Sequence, residues 1–435
     1  MFAGESGRFA PMNSPSRLER DSRLSLPPNV HGVADRNFGW AVRALAAMFP
    51  GRRFGGGALA VYLDGQPVVD VWTGWSDRAG RLPWSADTGT MVFSATKGMA
   101  ATVIHRLVDR GLIDYEAPVA RYWPEFAANG KSAITVRQLL RHRAGLSGLG
   151  GAGVTELLDH ELMEHRLAAA APKYWSGKPA YHALTFGWLL AGLARAVTGI
   201  GMRDLIRREL ATPLNVDGLH LGRPPAGAST RVAQIIMPQR TLPNPVFDYL
   251  APKFAASVLG SGFGSLYFPG ARAVLQGDMA LLDTEAPAVN GVTTARGLAR
   301  MYGAIANGGE IDGVRFLSGE LVAGLAGRGS LRPDRNIGVP MAFHLGYHAV
   351  PVPGLMPGFG HVGLGGSVGW ADPASGLAFG FVHNRLLTPL VMTDQSGFVG
   401  INALIRRGAA QARIRGYRPV ANFGAPMPGL GEVAG

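Results

Sequence analysis

Strand-like runs cluster at the two ends of this chain, and helical periodicity fills the middle. Ala58-Leu59-Ala60-Val61-Tyr62-Leu63 and Pro67-Val68-Val69-Asp70-Val71-Trp72 flank Asp64-Gly65. An Asp-Gly pair tolerates two consecutive left-handed residues, which a two-residue hairpin demands. Near the other end, residues 366–370 and 377–383 flank Asp372-Pro373-Ala374-Ser375-Gly376, a turn by composition. Between them lie helical patterns: a short one opened by Thr135, a long apolar one over 184–198 ending at Gly199, and one over 293–307 ending at Gly308-Gly309. The economical solution is an α+β fold. Both ends pair in one antiparallel sheet flanked by an N-terminal helix over 38–49 and a C-terminal helix over 394–406, with a helical lobe beside it. The sheet lobe is expected over about 38–93 and 340–410, and the helical lobe over about 100–335.

At 435 residues, 47% hydrophobic and 17% charged, the chain can bury a large core in one domain, expected over 29–415. Residues 1–28 and 416–435 lack periodicity and read as loose tails. Cysteine is absent, which excludes disulfides, thiolate metal sites and a cysteine nucleophile. The net charge of +12 invites a nucleic-acid reading, but the basic residues are scattered and almost all arginine, with no dense run interleaved with aromatics. No nucleic-acid partner is expected. No run of 18 apolar residues is present and the first 30 residues lack the apolar core of a signal peptide, so the expectation is a cytoplasmic protein without a membrane segment, with envelope association left open. Oligomeric state is not legible.

The chemistry-bearing stretch is Met91-Val92-Phe93-Ser94-Ala95-Thr96-Lys97. A helix begins here: Met99, Val103, Leu107 and Val108 share a face, and Gly111 closes it. Ser94 therefore sits at a helix start and Lys97 one turn on. A desolvated, partly neutral lysine can take the proton of a serine hydroxyl, and a helix N-terminus favours a developing oxyanion. Alone, the pattern better describes a capping serine followed by an exposed lysine.

Two further stretches decide between these readings. Tyr181 stands in Pro179-Ala180-Tyr181-His182-Ala183, just before a helix, and His361-Val362-Gly363-Leu364 precedes a C-terminal strand. Taken in order, these residues resemble the serine β-lactamase and penicillin-binding-protein superfamily, in particular the class C-like esterases called family VIII carboxylesterases, from about residue 31 to 406. Ser94 to Lys97 resembles the nucleophile motif, Tyr181 the tyrosine of Tyr-x-Asn, and His361 to Gly363 the Lys-Thr-Gly strand in a His-x-Gly form. The resemblance implies a β-lactamase-like fold and a cofactor-free, metal-free serine hydrolase acting on small-molecule carboxylic esters of short to medium chain. Ser94 would form an acyl-enzyme, with Lys97 and Tyr181 as proton relay. Tyr181, its pKa lowered by a nearby ammonium, would be a general base, and which of the two takes the first proton is not legible. The backbone N–H groups of Ser94 and Leu364 would hold the oxyanion, with His361 and Gly363 lining the cleft.

Departures from the family pattern steer the substrate class. Ala183 replaces the Tyr-x-Asn asparagine, and His361 and Val362 replace the lysine and threonine of Lys-Thr-Gly, removing a cation that could pair with a penicillin carboxylate. β-Lactam hydrolysis, D-amino-acid peptidase activity, acyl transfer to a specific alcohol and a non-catalytic binding role stay as alternatives. The aromatic-rich stretch over 238–282 suggests an apolar lid or acyl groove. Other patterns point elsewhere. Gly365-Gly366-Ser367-Val368-Gly369 matches a nucleophile elbow but precedes a strand where that motif needs a helix. Gly148 to Gly153 matches a dinucleotide loop without a preceding strand. His160 and His165 are five apart, so they miss a shared helical face for zinc.

Overall fold

A computed structural model describes residues 23–149, 151–173, 176–236, 280–327, 329–386 and 391–420. Six strands, β1 (Val30–Ala34), β2 (Gly56–Leu63), β3 (Gln66–Gly74), β4 (Phe359–Val362), β5 (Val368–Asp372) and β6 (Leu377–His383), form one antiparallel sheet in the order β1-β3-β2-β6-β5-β4. The two ends of the chain meet where β2 pairs with β6, from Leu63 opposite Leu377 to Gly57 opposite His383. The β2–β3 hairpin turns on Asp64 at φ 50° and Gly65 at φ 74°, both left-handed.

Five helices bear on the site: α1 (Gly39–Met48), α2 (Thr96–Asp109), α3 (Thr185–Thr198), α4 (Ala295–Ala306) and α5 (Val391–Arg415). Helices α1 and α5 cover one face of the sheet, burying Leu45, Val61, Phe379, Ile401 and Ile405 in a common cluster. The other face receives α4, capped by the Thr294 side chain, whose hydroxyl accepts from the Gly297 N–H at 3.0 Å. Close approach sets two residues here. A side chain on Gly303 would stand 2.9 Å from the Tyr62 ring, and one on Gly380 would stand 2.4 Å from the Ala295 carbonyl oxygen. Helix α4 therefore belongs to the sheet lobe, although its sequence position places it inside the expected helical lobe. Its pattern reveals amphipathicity but not which neighbour it meets.

Three other expectations need correction. Trp40, an apolar residue within the helix expected over 38–49 whose amphipathic pattern suits a buried face, is 51% exposed, with the Arg43 guanidinium 4.5 Å from its ring centre. Residues 23–28 and 416–420, read as tail, are tied to the sheet: Leu24 N–H donates to Ala34 O and Val420 N–H to Pro67 O. The strand leading to Ser94, Thr88–Met91, is not part of the main sheet. It lies in a four-stranded sheet with Leu219–Leu221, Gly291–Thr293 and Arg231–Val232. Among the described residues no single helix is long and apolar enough to cross a membrane. Nearly all of the 238–282 stretch lies outside the described residues.

Candidate active site

Ser94 is presented on a turn that is pinned from three sides. Val92 N–H donates to Gly291 O at 2.9 Å, continuing the pairing of the preceding strand. The Thr96 hydroxyl donates to Phe93 O at 2.6 Å and accepts from Gly291 N–H at 2.9 Å. Phe93 sits at φ 48°, a left-handed conformation that an aromatic residue rarely adopts, so the turn is held in place against local preference. Helix α2 starts at Thr96, and Ser94 does not cap it. Its hydroxyl is engaged elsewhere.

Lys97, one turn on, is fully buried, and its Nζ has three neighbours in hydrogen-bond reach: Ala183 O at 2.7 Å, Ala288 O at 3.0 Å and Ser94 Oγ at 3.1 Å. No carboxylate pairs with it among the described residues. Burial alone holds its pKa well below the ordinary lysine value, toward the neutral amine. A neutral amine has two N–H donors and one lone pair. With the two carbonyls taking N–H groups, the third position on Nζ faces Ser94 Oγ, where a neutral amine would present its lone pair. The amide lost at position 183 is thus replaced by that residue's own backbone.

Tyr181 Oη donates to Ser94 Oγ at 2.8 Å. Its ring centre lies 4.9 Å from Lys97 Nζ and is stacked on Phe343 at 5.4 Å and 3°. The expected lowering of its pKa does not occur. Burial pushes the phenol up, and the same burial pushes Lys97 toward its neutral form, which weakens the lowering an ammonium would exert. At rest the Tyr181 hydroxyl donates to Ser94 Oγ.

Strand β4 ends beside this pair. A side chain on Gly363 would lie 2.0 Å from Val92 O, so glycine lets the strand end close against the nucleophile turn. Leu364 follows, 39% exposed, and its N–H meets no acceptor among the described residues. Ser94 N–H stands in the first turn, where helix donors lack internal acceptors. His361 departs from the expectation that it lines the cleft. It is 2% exposed, stacked behind Tyr181 at 6.5 Å, with Nδ1 on Val362 O and His348 against its face at 4.9 Å. Its inward side on the β4 pleat, set by pairing with Gly369, turns it toward the tyrosine.

Several supporting residues were not picked out as site residues in the sequence. His142 sits beneath Tyr181, ring centres 5.1 Å apart, and its Nδ1 accepts from His182 N–H at 3.0 Å. His182 in turn accepts from Leu146 N–H at Nε2 and donates from Nδ1 to Ala180 O. Burial pushes His182 and His348 down to about 4 and holds His142 and His361 well below the usual histidine value, so this surround is uncharged. His142 lies just past a short helix, where no periodic signal marks it, and Phe343 lies in a long irregular segment that carries none either. The other patterns also resolve. Ser367 is 2% exposed with its hydroxyl on the His383 backbone, and no group of three or more metal-ligating side chains occurs among the described residues.

The family model for Beta-lactamase matches residues 41–396, which spans both lobes and every residue above. The chain belongs to the beta-lactamase family. It is 68% identical over 407 residues to the protein described as Esterase/beta-lactamase LipL of Mycobacterium tuberculosis, covering 93% of this chain and 95% of that one. A solved family VIII carboxylesterase matches with TM-score 0.74 at 32% identity, over 86% of this chain and 99% of its own. EstA from Arthrobacter nitroguajacolicus Rue61a matches with TM-score 0.69 at 28% identity, over 89% and 99%. This beta-lactamase family member is a serine hydrolase of the carboxylesterase-like kind, with the α+β fold expected of it.

The contact at Gly363 yields a direct expectation. Gly363→Ala forces the end of β4 away from Val92 O, and with it the Leu364 N–H. Ester kcat should fall about 100-fold, the scale of losing one oxyanion donor, with KM changed little. Steady-state kinetics of the variant check this, and near-normal kcat would remove Leu364 from the site.

Proposed function

We propose that this beta-lactamase family enzyme hydrolyses neutral carboxylic esters of short to medium acyl chain through an acyl-enzyme on Ser94. One observation carries the reading: Ser94 Oγ lies between the Lys97 amine at 3.1 Å, which burial pushes toward its neutral form, and the Tyr181 hydroxyl at 2.8 Å.

Ser94 Oγ attacks the ester carbonyl and gives its proton to Lys97 Nζ. The carbonyl electron pair moves to oxygen, which the N–H groups of Ser94 and Leu364 receive. When the tetrahedral adduct collapses, the departing alkoxide takes the Tyr181 proton. This leaves a phenolate beside a lysine ammonium, an opposite-charge pair that each partner stabilises in a dry site. Water then attacks the acyl-enzyme and gives a proton to the phenolate. Ser94 Oγ departs and recovers its proton from Lys97. Both groups return to their starting state, and the net reaction consumes one ester and one water.

Neutral substrates fit because the position of the Lys-Thr-Gly cation holds a buried, uncharged His361. Phe93 packs with Met91, Ile235, Leu282, Val292 and Leu386 behind the turn, and Leu364 is exposed beside it, giving an apolar approach to Ser94. The test is a series of p-nitrophenyl esters from acetate to palmitate beside a chromogenic cephalosporin. Ester kcat/KM is expected to exceed that for the lactam by about 100-fold or more, the scale of one missing charge-assisted contact. The mycobacterial relative's description pairs both activities, so minor lactam turnover is expected. Lactam turnover equal to or above ester turnover would overturn the ester assignment.

A further inference from the structure

One irregular segment, between α4 and β4, reaches back to the tyrosine loop and grips it on both sides. The Asp334 carboxylate, 1% exposed, accepts at Oδ1 from Tyr181 N–H at 3.0 Å. The same oxygen accepts from Asn336 N–H at 2.8 Å and Ile337 N–H at 3.0 Å, which fixes the turn around the carboxylate. Asn336 Nδ2 donates to Tyr181 O at 2.8 Å. Arg335 N–H donates to Pro179 O at 3.0 Å, two residues before the tyrosine. Seven residues past Asn336, Phe343 stacks on the Tyr181 ring. Backbone donor, backbone acceptor and ring of one residue are thus all engaged by one segment that has no contact of its own with Ser94 or Lys97 among those described.

Such spending of a buried carboxylate is unusual for a loop that only needs to pack. No cation pairs with Asp334 among the described residues, and its second oxygen has no partner among them. A buried carboxylate held only by N–H groups is costly unless its geometry is needed. What that geometry controls is the aim of Tyr181 Oη. The hydroxyl lies at the far end of the side chain, so a backbone tilt of about 10° would move it roughly 1 Å, enough to cost on the order of 100-fold in rate.

We infer that Asp334 and Asn336 are positioning residues that set the Tyr181 hydroxyl on Ser94 by clamping the tyrosine's N–H and C=O. The inference rests on the proton-donor role proposed above for Tyr181. Asn336 is the better probe, because it is half-buried and its removal leaves the carboxylate turn intact.

The experiment is a double-mutant cycle in the full chain with p-nitrophenyl acetate. Asn336→Ala should lower kcat by about 10- to 50-fold with KM within about twofold. In a Tyr181→Phe background the same change should cost less than about threefold, since there is no hydroxyl left to aim. Asp334→Asn keeps the shape and an acceptor, and should fall between wild type and Asn336→Ala. An equal loss from Asn336→Ala in both backgrounds would mean a merely structural role and overturn the inference while leaving the Tyr181 assignment standing. Unchanged kcat for Asn336→Ala together with Asp334→Asn would also overturn it. Wild-type turnover by Tyr181→Phe alone would instead sink the proton-donor role, and this inference with it.

Discussion

Lys97→Met is expected to lower ester kcat about 10,000-fold and to leave a folded enzyme. Methionine matches the length of the lysine stem but offers no basic lone pair to Ser94 Oγ and no proton for the second half-reaction. Lys97→Arg should be equally inactive, because a guanidinium does not give up its proton and the fully buried site has no room for it. Stability carries the sharper test of the neutral amine. The substitution strands two carbonyls, Ala183 O and Ala288 O, at about 1–3 kcal/mol each. Against this, wild type must strip the amine of water on folding. Because its folded pKa lies well below 10.5, the unfolded chain binds more protons between those two values. Wild-type stability therefore rises with pH through that window, and below it the full penalty is present. The Tm of Lys97→Met relative to wild type should be most favourable at the acid end and decline as pH rises toward 10.5. Thermal melts at about pH 6, 8 and 10 measure this slope. A difference that does not change with pH would mean a charged lysine in the folded enzyme and would remove it as first base.

The same residue shows how far the sequence could be read. Ser94 and Lys97 were legible because a three-residue spacing at a helix start is local geometry that two later motifs in order singled out, and the hairpin at Asp64-Gly65 was legible because it needs two left-handed residues in a row. Tyr181 and Gly363 came from ordered motifs, and the structure brings both to the nucleophile turn. What escaped was the direction of charge. Lys97 was read both as a partly neutral base for Ser94 and as an ammonium that lowers the tyrosine's pKa, and the second part fails because the burial around it involves neighbours far apart in sequence, such as Ala288, with no pairing carboxylate among the described residues. His361 was misplaced for a similar reason: its motif fixes the strand, not which pleat face meets Tyr181. The assignment of α4 failed on the sheet side, since an amphipathic helix records that it is covered and not by what. Asp334 and Asn336 sit in a segment without period, where only their joint contact with one distant tyrosine distinguishes them from ordinary turn residues.

Ser94→Ala should abolish ester turnover by at least about 10,000-fold and eliminate labelling by an active-site-directed phosphonate. Lys97 and Tyr181 would remain in place, so the residual rate would report only what the oxyanion donors and water can do without a nucleophile. The companion variant is Ser367→Ala, at the serine whose surroundings match a nucleophile elbow in sequence alone. Its hydroxyl accepts from His383 N–H at 3.2 Å, and the residue lies at the start of β5 with 2% exposure. Removing it should cost about 1 kcal/mol of stability and leave kcat within about twofold. The pair of variants separates fold from chemistry. Both serines are small, buried or nearly so, and followed or preceded by alanine or glycine, yet among the described residues only Ser94 lies within hydrogen-bond reach of both a lysine amine and a tyrosine hydroxyl. Ester turnover that survives Ser94→Ala and is lost in Ser367→Ala would overturn the assignment of the nucleophile. Loss in both would mean that the Ser367 hydrogen bond to the β6 end holds the site's shape, and a lowered Tm for Ser367→Ala alone would reveal that.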